Sequence, residues 1–173
     1  MGTTLSAAWF LENKMAWVHV GDSRLYLFRD DSLQQITRDH TRNEFATRDG
    51  RTTSPEGWHL CQSFIYGSRG LGDNSMVRLE AGLDAGCIDL RNDDVVLICS
   101  DGLTGEVGDR QMERLLKQNR DCSAAAQALV DQAIKRGSTD NITAMVIHVD
   151  GVRRGASGPE ETSEDLEERT VMF

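Results

Sequence analysis

The sequence lacks any apolar run approaching the ~18 residues that a membrane-crossing helix needs. Its unbroken apolar stretch Val95 to Cys99 covers only five residues. Nothing at the N-terminus reads as an export signal, so the expectation is a cytoplasmic protein. Four cysteines (Cys61, Cys87, Cys99, Cys122) form no CxxC pair and have no histidine at zinc-site spacing, which excludes the common zinc motifs. They are expected to be reduced core or semi-buried thiols, with Cys87 and Cys99 in strand-like runs. Basic residues are also in deficit, 19 against 28 acidic ones for a net charge of -9. A nucleic-acid partner held by phosphate contacts needs at least a basic patch, so none is expected. Much of the deficit is local, since residues 159–173 carry six acids and one arginine.

At 173 residues and 39% hydrophobic content, one domain with a real core is the default. Thr4 to Leu11 and Lys14 to Val20 are short runs rich in aromatic and β-branched residues, with Glu12-Asn13 between them as a turn. A second hairpin is predicted for RLYLFRDDSLQQIT, with Asp30-Asp31 at its tip. Residues 47–57 read as an exposed loop and Leu60 to Ile65 as a short helix. Further strands are predicted at Met76–Leu83, Cys87–Leu90 and Val95–Cys99. The period then changes to that of helices. One runs from Arg110 to about Asn119, capped by Asp109, with Met112, Leu115 and Leu116 on its apolar stripe. A second runs from Ser123 to Arg136, with Leu129, Val130, Ala133 and Ile134 inward and Gly137 ending it. Asn141–Val149 closes as a strand. Strands in runs with helices grouped together indicate an α+β layered domain over residues 1–149. Residues 150–173 read as a flexible acidic tail, in which Thr162, Ser163 and Thr170 are either solvated linker hydroxyls or phosphorylation sites.

Three aspartates sit at the ends of apolar strands: Asp22 in HVGDSR, Asp101 in CSDGL and Asp140 in GSTDNIT. Hard cations such as Mg²⁺ and Mn²⁺ select oxygen ligands and keep several waters, so a few convergent carboxylates suffice. Gly21, Gly102 and Gly137 would leave room for an ion and its hydration shell, with Ser23 and Asn141 orienting the ligands. Each motif alone reads more readily as an ordinary turn, because an Asp at a strand end most often bonds its own backbone.

Taken in order, the blocks MGTTL (1–5), HVGDSRLYLFRDDSLQQITRDHT (19–41), SRGLGD (68–73), DDVVLICSDGLTGEV (93–107) and GSTDNITAMVIHV (137–149) resemble the metal-dependent protein phosphatases of type 2C, the PPM family, and look most similar to bacterial members. The resemblance implies an antiparallel β-sandwich flanked by helices. It implies a protein serine/threonine phosphatase that hydrolyses phosphoserine and phosphothreonine with a water activated by Mn²⁺ or Mg²⁺, two or three ions in the complete domain. Asp101 and Asp140 would be ligands of the catalytic pair with Asn141 beside them, and Asp22 with Asp101 would hold an additional, weaker ion. The absence of an obvious catalytic Cys or Ser fits that chemistry. The implied partners are a phosphoprotein and the bacterial Ser/Thr kinase that modifies it, with no nucleic acid and no membrane.

The family also carries, before its GTT block, an Arg-containing segment that grips phosphate and an Asp-Gly-x-Gly-Gly motif whose Asp bridges the metals. Neither is found here: Asp49-Gly50 is followed by Arg51-Thr52-Thr53. The expectation is therefore the C-terminal part of the family domain, inactive or weakly active alone and less stable than a complete domain. The alternatives are a non-catalytic binding or regulatory module of the same fold, and carboxylates holding a structural cation only. His19 and His40 are assigned no catalytic role, Arg24 is expected in a structural ion pair, and Arg48 to Trp58 corresponds to the family's variable flap.

Overall fold

The computed structural model describes residues 2–40, 64–65 and 84–152, with only the backbone described at 64–65. The predicted strand at Met76–Leu83, the loop at 47–57, the flap region Arg48 to Trp58, Cys61 and the tail from residue 153 lie outside the described residues.

Nine strands and three helices follow in chain order among the described residues: β1 (Gly2–Thr3), β2 (Leu5–Leu11), β3 (Lys14–Val20), β4 (Arg24–Arg29), β5 (Ser32–Gln35), β6 (Phe64–Ile65), β7 (Asp84–Asp89), β8 (Val95–Cys99), α1 (Asp101–Thr104), α2 (Asp109–Gln118), α3 (Cys122–Lys135) and β9 (Ala144–His148). All pairings are antiparallel. They give a β2-β3-β7 sheet, a β5-β4-β8-β9 sheet and a short β1-β6 ribbon. Both predicted hairpins form. Asp30 and Asp31 take φ of 51° and 62° at the second tip, the left-handed pair that a two-residue hairpin turn requires and that Asp tolerates. Phe64–Ile65 is a strand, where a helix was expected, because its backbone pairs with Gly2–Thr3.

The four-stranded sheet is the central layer, and its sequence shows why. Along β4 and β8, successive residues fall into two different cores. Tyr26, Leu97 and Cys99 pack with Leu103, Met112, Leu116 and Leu129 of the helices. Leu25, Leu27 and Val96 pack with Met15 and Leu90 on the other sheet's side. A strand buried on both faces has no polar alternation, which is the physical origin of VVLIC. Each such side chain contributes roughly 1.5–3 kcal/mol by leaving water.

Several local expectations need correction. Asp109 does not cap α2: Gly108 is the cap, and Asp109 is the first helical residue, its carboxylate accepting the Tyr26 hydroxyl at 3.1 Å. On α3 the stripe is Ala125, Leu129 and Ala133, at a spacing of four. Ile134 lies one residue, about 100°, off that stripe and is 59% exposed. Gly137, at φ 94°, follows the helix end as expected. Cys87 is exposed, because it lies on the outer face of the three-stranded sheet. That face also shows Trp9, 75% exposed. No helix among the described residues is long and apolar enough to cross a membrane.

Candidate functional site

Register brings the candidate carboxylates to one end of the sandwich. In the central sheet Arg24 pairs with Cys99, and Cys99 with Ala144. The turn at 21–23, the start of α1 and the loop at 138–143 therefore leave the sheet side by side. Asp22 is half-buried, and its carboxyl is held above the usual range, first by burial and then by the negative charge of Asp101. The charge of Asp101 therefore reaches Asp22 across the strand ends. Asp101 opens α1 and accepts the Gly102 N–H on Oδ1 at 2.9 Å. Asp140 is exposed, and its Oδ1 accepts the Asn141 N–H at 2.7 Å.

Gly102 locks the Asp140 loop to the start of α1. A Cβ at this position would stand 2.5 Å from the Asn141 carbonyl oxygen and 3.4 Å from Asp140 Cβ. Gly102 therefore does not leave the room for an ion and its hydration shell expected from the sequence; it is buried, and the missing side chain lets two backbones touch. Ser100 and Ser138 complete the joint. Ser100 Oγ donates to Asn141 O at 3.0 Å and accepts the Thr143 N–H at 3.0 Å, while Ser138 Oγ donates to Gly102 O at 2.8 Å. Gly21 is equally constrained: its φ is 115° and a Cβ would collide with Thr4. Ser23 turns its hydroxyl to Thr4 Oγ1 at 2.8 Å, and Asn141 supports the site through its backbone.

A polar brace, missed from the sequence, holds the Asp22 turn from behind. Segment 36–40 runs back along it, with His40 N–H donating to Gly21 O at 2.7 Å and Gly21 N–H donating to His40 Nδ1 at 3.2 Å. That second bond leaves the ring proton on His40 Nε2, 3.1 Å from Asp84 Oδ2. His19 Nε2 faces two carbonyl oxygens, of Gly21 and Arg38, both at 3.0 Å, so it carries the proton. Its Nδ1 meets the Ser6 hydroxyl at 2.8 Å. Burial, and then the neighbouring His40, lowers the His19 pKa below its ordinary value. Arg24 makes the structural ion pair expected of it, with Nε and Nη2 on the two oxygens of Asp39 at 2.8 and 2.7 Å. Burial alone would lower the Arg24 pKa, but its bonds to Asp39 and Tyr26 raise it. The available signal was the polar run TRDH directly after a strand, with no glycine or proline to mark it as a loop.

No three His, Cys, Asp or Glu side chains among the described residues form a ready-made metal cage. The donors still suit a hard cation. Asp22, Asp101 and Asp140 offer carboxylate oxygens without an ion pair among the described residues, and Mg²⁺-type ions are commonly held by one or two carboxylates plus water.

Comparison with known proteins gives this end of the sandwich a context. Serine/threonine phosphatase stp of Listeria innocua is 32% identical over 155 residues, covering 90% of this chain and 60% of that protein. Serine/threonine protein phosphatase PstP of Mycobacterium tuberculosis is 35% identical over 159 residues, 92% of this chain and 30% of that protein. The crystal structure of PstP/Ppp from the same organism matches with a TM-score of 0.74 at 31% identity, covering 87% of this chain and 61% of that one. A structure of the PstP catalytic domain in complex with two manganese ions matches at a TM-score of 0.68 and 36% identity, covering 84% and 58%. The architecture is thus the α+β sandwich of these bacterial phosphatases. Residues 1–142 match the family described as Protein phosphatase 2C, and the chain belongs to that family. It spans 60% of the stp sequence and 30% of PstP.

Proposed function

We propose that this chain is part of a Mn²⁺- or Mg²⁺-dependent protein serine/threonine phosphatase, with Asp22, Asp101 and Asp140 as its contribution to the metal ligands. The observation that carries this reading is the set of three strand-end aspartates without ion pairs, two of them electrostatically coupled, in a chain of this family. When bound, the cations supply a water of lowered pKa and neutralise phosphate charge. The chain's own residues do the positioning: Gly102, Ser100 and Ser138 fix the Asp101 and Asp140 backbones against each other, and the His19–His40 brace fixes Gly21 beside Asp22. The substrate is a phosphoprotein, the opposing enzyme a bacterial Ser/Thr kinase and the compartment the cytoplasm. Residues 1–149 form the phosphatase unit and 150–173 a separate acidic segment. The 173-residue polypeptide alone has weak turnover, since its sequence contains neither the bridging Asp-Gly-x-Gly-Gly motif nor the phosphate-gripping arginine segment of the family.

The test measures Mn²⁺ binding calorimetrically together with hydrolysis of para-nitrophenyl phosphate, for this chain and for Asp140→Asn. The expected outcome is measurable Mn²⁺ binding that weakens at least about tenfold in the variant, with low turnover falling in parallel. Equal binding and equal rates would remove Asp140 from the ligand set.

A further inference from the structure

A cleft of about 840 Å³ opens beside the carboxylate end, on the helix-covered side of the central sheet. Its charged lining is Arg24, Arg110, Arg114 and Arg136 against one carboxylate, Asp109. Four arginines around one cleft run against the composition of a chain with net charge -9. Asp109 is one negative charge against four positive ones, and one of its oxygens accepts the Tyr26 hydroxyl. Arg24 is committed to Asp39 and Tyr26 and forms the rigid floor. Arg136 spends one N–H on Glu106 O at 3.3 Å. Arg110 and Arg114 are exposed, four residues apart on α2, and make no ion pair or side-chain hydrogen bond among the described residues. Side chains at that spacing stand on one helix face, so two planar guanidinium groups present their unspent donors together.

Guanidinium groups select carboxylate and phosphate oxygens and are easily stripped of water. The cleft is bounded by several elements, the start of β4, α1, α2 and the end of α3, which gives it the reach to hold a chain segment. Arg24 lies two residues after Asp22, and Thr104, also in the lining, three residues after Asp101. We infer that this cleft receives acidic residues flanking the phosphorylated side chain of a protein substrate, and so selects phosphoproteins with acidic sequence around the modified site. The inference rests on the proposed phosphatase function for what occupies the neighbouring carboxylate end; the preference of the cleft for acidic peptide does not.

Fluorescence anisotropy tests it on the full chain in EDTA, with two labelled phosphoserine peptides. One carries Asp and Glu flanks and the other the matching Asn and Gln flanks. The acidic peptide is expected to bind about fivefold tighter or more, with the difference shrinking as salt rises. Arg110→Ala with Arg114→Ala should bring the two peptides to equal affinity, and an unchanged urea melt shows that the doubly substituted chain is folded. Equal affinities in the unsubstituted chain, or a preference that survives the substitutions, would overturn the inference. Inorganic phosphate competing as well as unlabelled acidic peptide would also overturn it, since a free anion would then be the ligand. An intact flank preference without Mn²⁺-dependent turnover would count against the phosphatase reading alone; turnover without the preference would count against the cleft alone.

Discussion

The two ends of the central sheet both carry aspartates and, apart from Asp39 with its Arg24 partner, they use them in opposite ways. At the far end, where β4 turns into β5 and β8 begins, aspartates sit opposite arginine, lysine or histidine side chains. Asp94, 1% exposed, accepts Arg29 Nε and Nη2 at 2.7 and 2.6 Å and the Arg91 N–H at 2.7 Å. Asp31 meets Lys117 at 2.7 Å, Asp30 meets Arg91 at 3.6 Å, and Asp93 meets His148 Nε2 at 3.6 Å. At the near end Asp22, Asp101 and Asp140 have no ion pair among the described residues, and Asp22 and Asp101 repel. Carboxylates that close turns are neutralised locally. Ionised Asp22, half-buried beside the charge of Asp101, costs stability instead, because its pKa is raised in the folded chain.

The sharpest way to break this contrast is at Asp94. Asp94→Ala leaves the Arg29 charge and the Arg91 N–H without their acceptor and is expected to cost about 3 kcal/mol in a urea melt, while Mn²⁺ binding by the folded fraction stays unchanged. Next comes Gly102→Ala, which drives a methyl group into the Asn141 carbonyl. A loss of about 2 kcal/mol is expected, here accompanied by weaker Mn²⁺ binding, because the Asp140 loop must move. A wild-type melt and wild-type binding for this variant would mean that the two backbones are not in contact.

A smaller effect is expected at His19, whose pKa in the folded chain lies below the ordinary 6.5. The unfolded chain then takes up the proton first, so stability is retained above about pH 6.5 and declines as pH falls below it. The groups around it are His40, Asp84 and the Gly21 and Arg38 carbonyls. Urea melts between pH 8 and pH 5 should show this slope, and it should flatten in His19→Gln. An identical slope in the variant would assign the decline to other groups.

Much of this fold was legible because pattern and burial agreed. The two N-terminal hairpins and the doubly buried Val95–Cys99 strand formed where alternation, turn residues and an unbroken apolar run placed them. Ile134 was misplaced because helix periodicity fixes a stripe only to within a residue or so. Cys87 was misplaced because a strand sequence does not say which face will be covered. At the site, the ordered blocks identified the family, and strand-end position pointed to the three aspartates. The brace was hidden because its bonds join residues far apart in sequence, such as Ser6 with His19 and Arg24 with Asp39. Gly102 misled for a different reason: a glycine beside an aspartate signals close approach, but not whether the approaching group is a ligand or another backbone.

The most direct test of the central contrast is a thermal melt of the chain and of Asp101→Asn, each with and without millimolar Mn²⁺. Without metal, Asp101→Asn should melt no lower than the unsubstituted chain, since it removes one of two repelling carboxylates. With metal, the unsubstituted chain should rise by about 5 °C and the variant should barely move. An equal rise in both, or a metal-free loss in Asp101→Asn as large as that expected for Asp94→Ala, would show that the near-end carboxylates are structural after all.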